Sequence, residues 1–173
     1  MDKILFYKTE YSSPLGKLTI CAKNNNLVGL WIEGQKYFAD TVNAEMISDD
    51  SLTIFKNTKK WLDEYFKGNR PNITDLNLSP IGNEFRQSVW KILCKIPYGE
   101  VTTYGDIAKE IAKQKGIERM SAQAVGGAVG HNPISIIIPC HRVIGKNGKL
   151  TGYAGGLDKK IQLLKIEGVN LDF

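Results

Sequence analysis

The 173-residue chain has few of the residues that staple small proteins or bind metals. Its three cysteines, Cys21, Cys94 and Cys140, are odd in number and form no CxxC pair. That argues against a disulfide framework and a four-ligand zinc site. Both histidines, His131 and His141, lie in the C-terminal half, which leaves Cys21 as the one strong metal ligand in the first half. No metal and no cofactor is expected. No apolar run approaches the roughly 18–20 residues that cross a bilayer. At the N-terminus Lys8 follows a very short apolar run, so there is no h-region of signal-peptide length. A cytosolic protein with no membrane partner is expected.

Hydrophobic residues make up 42% of the chain and charged residues 24%, an ordinary folded composition. The length suits one generous domain or two small ones. The net charge is +5, and its distribution is uneven. Residues 1–80 carry ten basic and ten acidic side chains, while residues 81–173 carry 13 and eight. A positive excess confined to one part of the chain fits a polyanionic partner or a solvated basic surface.

Residues 1–34 have strand patterning over Lys3–Tyr7, Lys17–Ala22 and Leu27–Ile32. Ser13-Pro14-Leu15-Gly16 and Asn24-Asn25-Asn26 supply the turns. Ser51–Phe66 predicts a helix, with Leu52, Ile54, Phe55, Leu62, Tyr65 and Phe66 as its stripe and Gly68 as its stop. Residues 69–83, with Pro71, Pro80 and Gly82, predict a linker. The chain therefore divides into a β-rich supporting domain, 1–80, and a second domain, 81–173. Cys21 lies in a strand and is expected to pack as a small hydrophobe.

In the second domain Phe85, Val89, Ile92, Leu93 and Ile96 predict a helix ending before Pro97-Tyr98-Gly99. After the short segment Glu100-Val101-Thr102, Thr103 and Asp106 form a capping pair for a helix with Ile107, Ala108, Ile111 and Ala112 on its apolar face. Ser121 caps a short helix, Ala122–Val129, built of small residues. Two short helices in this order resemble a helix-turn-helix. The small residues permit close approach to a neighbouring surface or tight packing beneath, and the first turn offers N–H groups to phosphate.

Ile134–Ile138 predicts a buried strand that ends at Pro139, placing Cys140 at the tip of a rigid element. Cys140 can be an inert buried thiol, the nucleophile of a cysteine hydrolase, or an alkyl acceptor. His141 is the nearest candidate base, with a water to bridge it if adjacent side chains diverge. Glu167, near the end of a predicted helix Leu157–Ile166, can orient that histidine. His131 is expected in a surface turn and Cys94 in a structural role.

Ile138-Pro139-Cys140-His141-Arg142-Val143 resembles the active-site signature of the alkylguanine-DNA alkyltransferases, the methylated-DNA–protein-cysteine methyltransferase family. The resemblance runs from about Phe85 to Gly168. It takes in Pro97–Tyr104, Ala124–Ala128, Asn132-Pro133, Tyr153–Leu157 and Glu167-Gly168. It implies an α/β fold of the α+β kind. The N-terminal domain would be ribonuclease-H-like, a small sheet plus helix. The C-terminal domain would be mostly helical and winged-helix-like.

The activity implied is irreversible, single-use transfer of an alkyl group from O6 of guanine to Cys140, with O4 of thymine a further candidate. The partner implied is double-stranded DNA containing alkylated guanine, bound by a monomer. The resemblance assigns Cys140, His141, Glu167, Asn132 and Tyr104 to catalysis, with a water linking Cys140 to His141. It assigns Tyr104, Val143, Tyr153, Ala154 and Gly155 to the base pocket. Thr103, Ser121, Ala122, Gln123, Ala124, Gly126 and Arg142 would contact DNA. Two positions depart from the family pattern: Gln123 replaces an arginine that fills the gap left by a flipped base, and Ala154 replaces a frequent serine. A non-catalytic lesion sensor on the same scaffold is the alternative, although such relatives lack the acceptor cysteine.

Overall fold

The structure, a computed structural model, describes residues 4–171. The chain divides into two compact units. One comprises residues up to Ile81 together with Pro133–Ser135; the other comprises Gly82–Asn132 and the chain from Ile136 onward.

The first unit holds a four-stranded sheet made of β1 (Phe6–Ser13), β2 (Gly16–Lys23), β3 (Asn26–Ile32) and β4 (Met46–Ser48). Their order is β3-β2-β1-β4, with β4 parallel to β1 and the other pairs antiparallel. The expected turns are present. Ser13 Oγ donates to Gly16 O and accepts from the Leu15 N–H. Asn24 and Asn25 both adopt positive φ (51° and 60°), as the two-residue type I′ connection of β2 to β3 requires. β1 differs from expectation: it begins at Phe6 and continues to Ser13, and Lys3 lies outside the described residues. Pairing with β2 carries the strand through polar Lys8, Thr9 and Glu10, which apolar content alone does not mark.

Nearly all of β2 and β3 is buried. Gly29 and Trp31 lie two residues apart on one face of β3. The indole occupies the space that a Cβ on Gly29 would need, 2.2 Å from such an atom. Helix α1 (Thr53–Phe66) starts two residues later than expected because Leu52, its N-cap, has no side-chain acceptor. It buries Ile54, Phe55, Thr58, Trp61, Leu62 and Tyr65 and packs on β1 and β2.

The expected linker 69–83 is partly ordered by the sheet. Leu27 N–H donates to Asn77 O, and Ser79 N–H donates to Leu27 O. β3 is an edge strand whose free backbone groups need partners, and this segment supplies some of them. Pro133 and Ser135 pair with Leu30 on the same strand.

The second unit contains α2 (Glu84–Leu93), β5 (Thr102–Thr103), α3 (Tyr104–Lys115), α4 (Ala122–Gly130), β6 (Val143–Ile144) and α5 (Leu157–Ile166). β5 and β6 form a parallel pair. Asn83, Thr103 and Ser121 each cap the helix that follows through a side-chain oxygen. α2 stops at Leu93, short of the expected Ile96, and the chain turns through Cys94 to Ile96. α2, α3 and α4 pack together, and Trp90 Nε1 donates to Ala128 O at 2.9 Å. Trp90 thereby satisfies one of the carbonyls that the end of α4 leaves open.

The expected strand Ile134–Ile138 is not a strand. The run is buried, but it forms an isolated bridge at Ile134 followed by a turn in which Ile136 takes φ +73°. Continuous apolarity reports burial without reporting period, and a β-branched residue gives no sign of a left-handed turn. No helix among the described residues is long and apolar enough to cross a membrane.

Gly29→Ala should destabilise the protein by about 1–3 kcal/mol through overpacking against Trp31. Chemical denaturation checks this; an unchanged midpoint would show that the indole moves aside freely.

Candidate active site

Pro139 leads into a single 3₁₀ turn, Cys140–Arg142, so Cys140 opens a turn instead of ending a strand. The Asn132 side chain, just past the end of α4, donates to Ile138 O at 2.8 Å. The Cys140 N–H donates to the same carbonyl at 2.8 Å. Burial pushes the Cys140 thiol up; the Asn132 side chain, the charge of Lys160 and the nearby Tyr153 side chain oppose it. Burial alone raises Cys21, to about 12, and Cys94, to about 11. Cys140 alone of the three thiols is met by polar side chains that favour its anion.

Glu167, the C-cap of α5, collects four hydrogen bonds. Its Oε2 meets His141 Nε2 at 2.5 Å and Arg142 Nη2 at 3.2 Å. Its Oε1 accepts from Arg142 Nε at 2.7 Å and from the Gly99 N–H at 3.1 Å. Gly99 takes φ +82° to present that N–H, a conformation that favours glycine. Arg142 Nη1 donates to Ile96 O at 2.6 Å, and the Tyr98 hydroxyl donates to Ile166 O.

Burial alone would raise the Glu167 carboxyl, but the hydrogen bonds and charges of His141 and Arg142 hold it well below the usual carboxylate range. His141 is held below its ordinary 6.5, chiefly by burial, with the charges of Arg142 and Lys160 adding to that fall against the opposing pull of Glu167. The pair is therefore an ionised carboxylate beside a neutral imidazole, because Arg142 already answers the negative charge. With Nε2–H given to Glu167, Nδ1 is the basic nitrogen. It is buried and has no hydrogen-bond partner.

Arg142 does not face DNA as expected. Its side chain is buried, and its guanidinium is committed to Glu167 and Ile96 O. Of the other expected contact residues, Thr103, Ala122, Gln123 and Gly126 line a groove of about 750 Å³, and Ser121 and Ala124 do not. Its lining includes Thr103, Tyr104, Asp106, Lys109, Ala122, Gln123, Gly126 and Lys146. Ser121, Ala122, Gln123 and Ala124 are exposed in the first turn of α4, while Val125, Ala128 and Val129 face inward. Gly126 lies beside the Tyr104 ring. Burial raises the Tyr104 hydroxyl, so it keeps its proton and can donate. Thr151 Oγ1 donates toward it at 3.5 Å.

Val143 is buried, and Ala154 and Gly155 form the half-buried turn before α5. His131 is the C-cap of α4, with Nδ1 against Gly127 O. Among the described residues no three His, Cys, Asp or Glu side chains gather as a metal set.

The sequence pattern missed Lys160, Lys109 and Lys146. Lys160 shares the buried face of α5 with Leu163 and Leu164, a spacing of i, i+3, i+4 that marks it as an inward lysine. Lys109 and Lys146 border the groove and carry no sequence signal beyond their charge.

A held thiol followed in the same turn by a neutral, carboxylate-anchored imidazole has the groups that thiol-based group transfer needs, and a helix pair with an exposed, capped first turn lies in the same unit. Family models agree with that class. Residues 84–169 match "6-O-methylguanine DNA methyltransferase, DNA binding domain", and residues 6–80 match "6-O-methylguanine DNA methyltransferase, ribonuclease-like domain". The methylated-DNA–protein-cysteine methyltransferase of Haemophilus influenzae is 39% identical, covering 94% of this chain and 87% of its own. That of Methanosarcina barkeri is 44% identical, covering 92% and 95%. The crystal structure of Mycobacterium tuberculosis O6-methylguanine methyltransferase superposes with TM-score 0.79 at 40% identity, covering 94% and 93%. A second structure, of M. tuberculosis OGT in complex with DNA, gives TM-score 0.78 at 40% identity, covering 94% and 91%. The chain belongs to the methylated-DNA–protein-cysteine methyltransferase family. It is a methyltransferase of DNA repair, and DNA is its partner.

Glu167→Gln leaves the buried Arg142 without its countercharge and should cost about 3–5 kcal/mol. Acid should act in the same direction. The lowered folded-state values of His141 and Glu167 mean that the unfolded chain binds protons first as pH falls. Stability should drop below 6.5 for His141 and further below 4.5 for Glu167. Calorimetry across this range should show a shallower decline for His141→Asn than for the wild type above pH 4.5; identical slopes would remove His141 from the account.

Proposed function

We propose that this chain repairs O6-alkylguanine in double-stranded DNA by moving the alkyl group irreversibly onto Cys140 Sγ, acting as a monomer in the cytoplasm. The observation that carries the reading is the unpartnered Nδ1 of His141, the residue that follows Cys140 in the same turn, with Nε2 anchored on Glu167. Such a nitrogen is a base waiting for a proton.

The alkyl carbon on O6 lies inside the stack, so the nucleotide is rotated out before reaction. Flipping costs a few kcal/mol and less for a damaged pair, which favours lesions. The first turn of α4 and Thr103 hold the backbone, while Gln123 stands where the extruded base leaves a gap. The base is received between Tyr104, the Val143 backbone and the Tyr153–Gly155 turn. Tyr104 donates toward the ring, and the Ala154 N–H, which needs no side chain, serves the O6 side.

The thiol proton passes through a bridging water to His141 Nδ1, and Glu167 stabilises the imidazolium. Sulfur attacks the alkyl carbon in line. The S–C bond forms, the C–O6 bond breaks, and the electron pair returns to the ring, restoring the keto base. The proton taken from the thiol ends on the ring nitrogen of the product guanine. The thioether does not hydrolyse, so each molecule acts once. The neutral resting pair suits this scheme, because a buried thiol that ionises only with substrate in place is protected from unrelated electrophiles.

Intact mass measurement after incubation with duplex DNA carrying O6-methylguanine tests the reading. One methyl group, about 14 Da, should be gained and should be absent in Cys140→Ser. Lesion binding without a mass gain would instead establish a sensor. The uncharged Gln123 leads to a second expectation. Gln123→Arg should tighten binding to lesion duplex about tenfold at fixed salt, and equal affinities would exclude a gap-filling role for this position.

A further inference from the structure

Of the asparagines in the chain, only Asn147 is followed by glycine. That neighbour matters chemically. An asparagine loses its amide nitrogen when the backbone nitrogen of the next residue attacks its side-chain carbonyl carbon. Glycine has no Cβ to shield that nitrogen or to stiffen the backbone around it. Asn147 sits at the exposed tip of the segment between β6 and α5, and no hydrogen bond holds its carboxamide among the described residues. Asn147 and Gly148 take φ 62° and 76°, as in a type I′ turn over residues 146–149. At the Asn147 ψ of 29° the Gly148 nitrogen points away from Cγ, so ring closure waits for the turn to open. The bond that closes the turn, from the Lys149 N–H to Lys146 O, is long at 3.4 Å. Opening is therefore a small local event.

The same tip borders the groove, where Lys146 and Asn147 share the lining with Gln123. That lining carries two cations, Lys109 and Lys146, against one acid, Asp106. A carboxylate at position 147 would cancel the remaining positive charge. We propose that Asn147–Gly148 is a site of spontaneous deamidation, and that the carboxylate it creates weakens the hold of the groove on DNA. The second half rests on the reading of this groove as the face that takes the duplex.

The Gly148 backbone nitrogen gives its proton to a solvent base and attacks Asn147 Cγ. The N–Cγ bond forms, the bond to the amide nitrogen breaks, and ammonia leaves with a proton. The five-membered succinimide then takes up water at either carbonyl. One product is aspartate on an unchanged chain; the other is isoaspartate, with the chain routed through Cβ. Both carry a negative charge where a neutral amide stood, and phosphates are repelled by it.

Mass spectrometry of protein held at mildly alkaline pH tests the first half. The peptide spanning Asn147 should gain about 1 Da, ammonia lost and water gained. It should do so faster than peptides spanning Asn24 or Asn57, and faster as pH rises, because the attacking nitrogen must lose its proton. A free peptide of the same sequence that deamidates while the folded protein does not would show that the turn blocks closure and would overturn the site.

Asn147→Asp tests the second half, since it supplies the charge without rerouting the chain. Its affinity for duplex DNA should fall about fivefold at low salt and approach the wild-type value as salt rises, with the melting temperature unchanged. Ala122→Glu puts the same charge on the groove at the first turn of α4. If Ala122→Glu weakens binding and Asn147→Asp does not, the consequence for DNA is overturned by itself. If neither weakens it, the reading of the groove as the DNA face fails as well.

Discussion

The Glu167 carboxylate is the constraint around which the second unit is organised. It sits at the end of α5, accepts the Gly99 N–H, and carries both Arg142 and His141. Three stretches distant in sequence, the Pro97–Gly99 turn, the Cys140–Arg142 turn and the end of α5, are tied by one buried negative charge. A buried anion is tolerable only when its acceptor positions are filled, and here they are. The Arg142 cation also decides protonation. Because Arg142 supplies the permanent charge, His141 can remain neutral while Glu167 stays ionised, and Nδ1 is left as a base.

The proposed acceptor thiol follows the same economy of buried polar groups. The Asn132 side chain bonds Ile138 O and counters the rise of the Cys140 thiol, so the turn that carries the acceptor is also the one that α4 positions. Trp90 satisfies Ala128 O from beneath α4 and joins that helix to α2. The groove-side helix and the acceptor turn are therefore continuous through Asn132. A displacement of α4 by a bound duplex would be felt at the sulfur. The left-handed Ile136 is a local cost on this path, of the kind that a well-packed surround over-determines.

Much of the second unit could be read directly from the chain. The caps Thr103 and Ser121, the apolar face of α3 and the span of α5 were legible because they depend on local spacing and local hydrogen bonds. Cys140, His141 and Glu167 were legible as candidates through their motif, and the structure places them in one cluster. The failures share a cause. Ile134–Ile138 looked like a strand because a fully buried run has no period to reveal its backbone. β1 was underextended because a half-exposed hairpin strand draws its residues from pairing more than from apolarity. The 69–83 stretch looked free because the edge of β3 that pairs with it is some fifty residues earlier in the chain.

Arg142 shows the same division most plainly. Its charge and its place beside the acceptor suggested a phosphate contact, and both are properties of sequence. Whether a cation points to solvent or to a buried carboxylate depends on where Glu167 is brought, 25 residues later. Lys160 could have been noticed as an inward lysine from its spacing, yet the carbonyls it holds are set only when α5 packs against the Cys140 turn. By itself the sequence determined the candidate acceptor cysteine and the histidine after it, the helix pair and the capped turn that faces the groove, because these follow from residue chemistry within a few positions. Tertiary structure alone decided which charges are buried against one another, and hence which nitrogen is the base, because that balance is struck between groups that only folding makes neighbours.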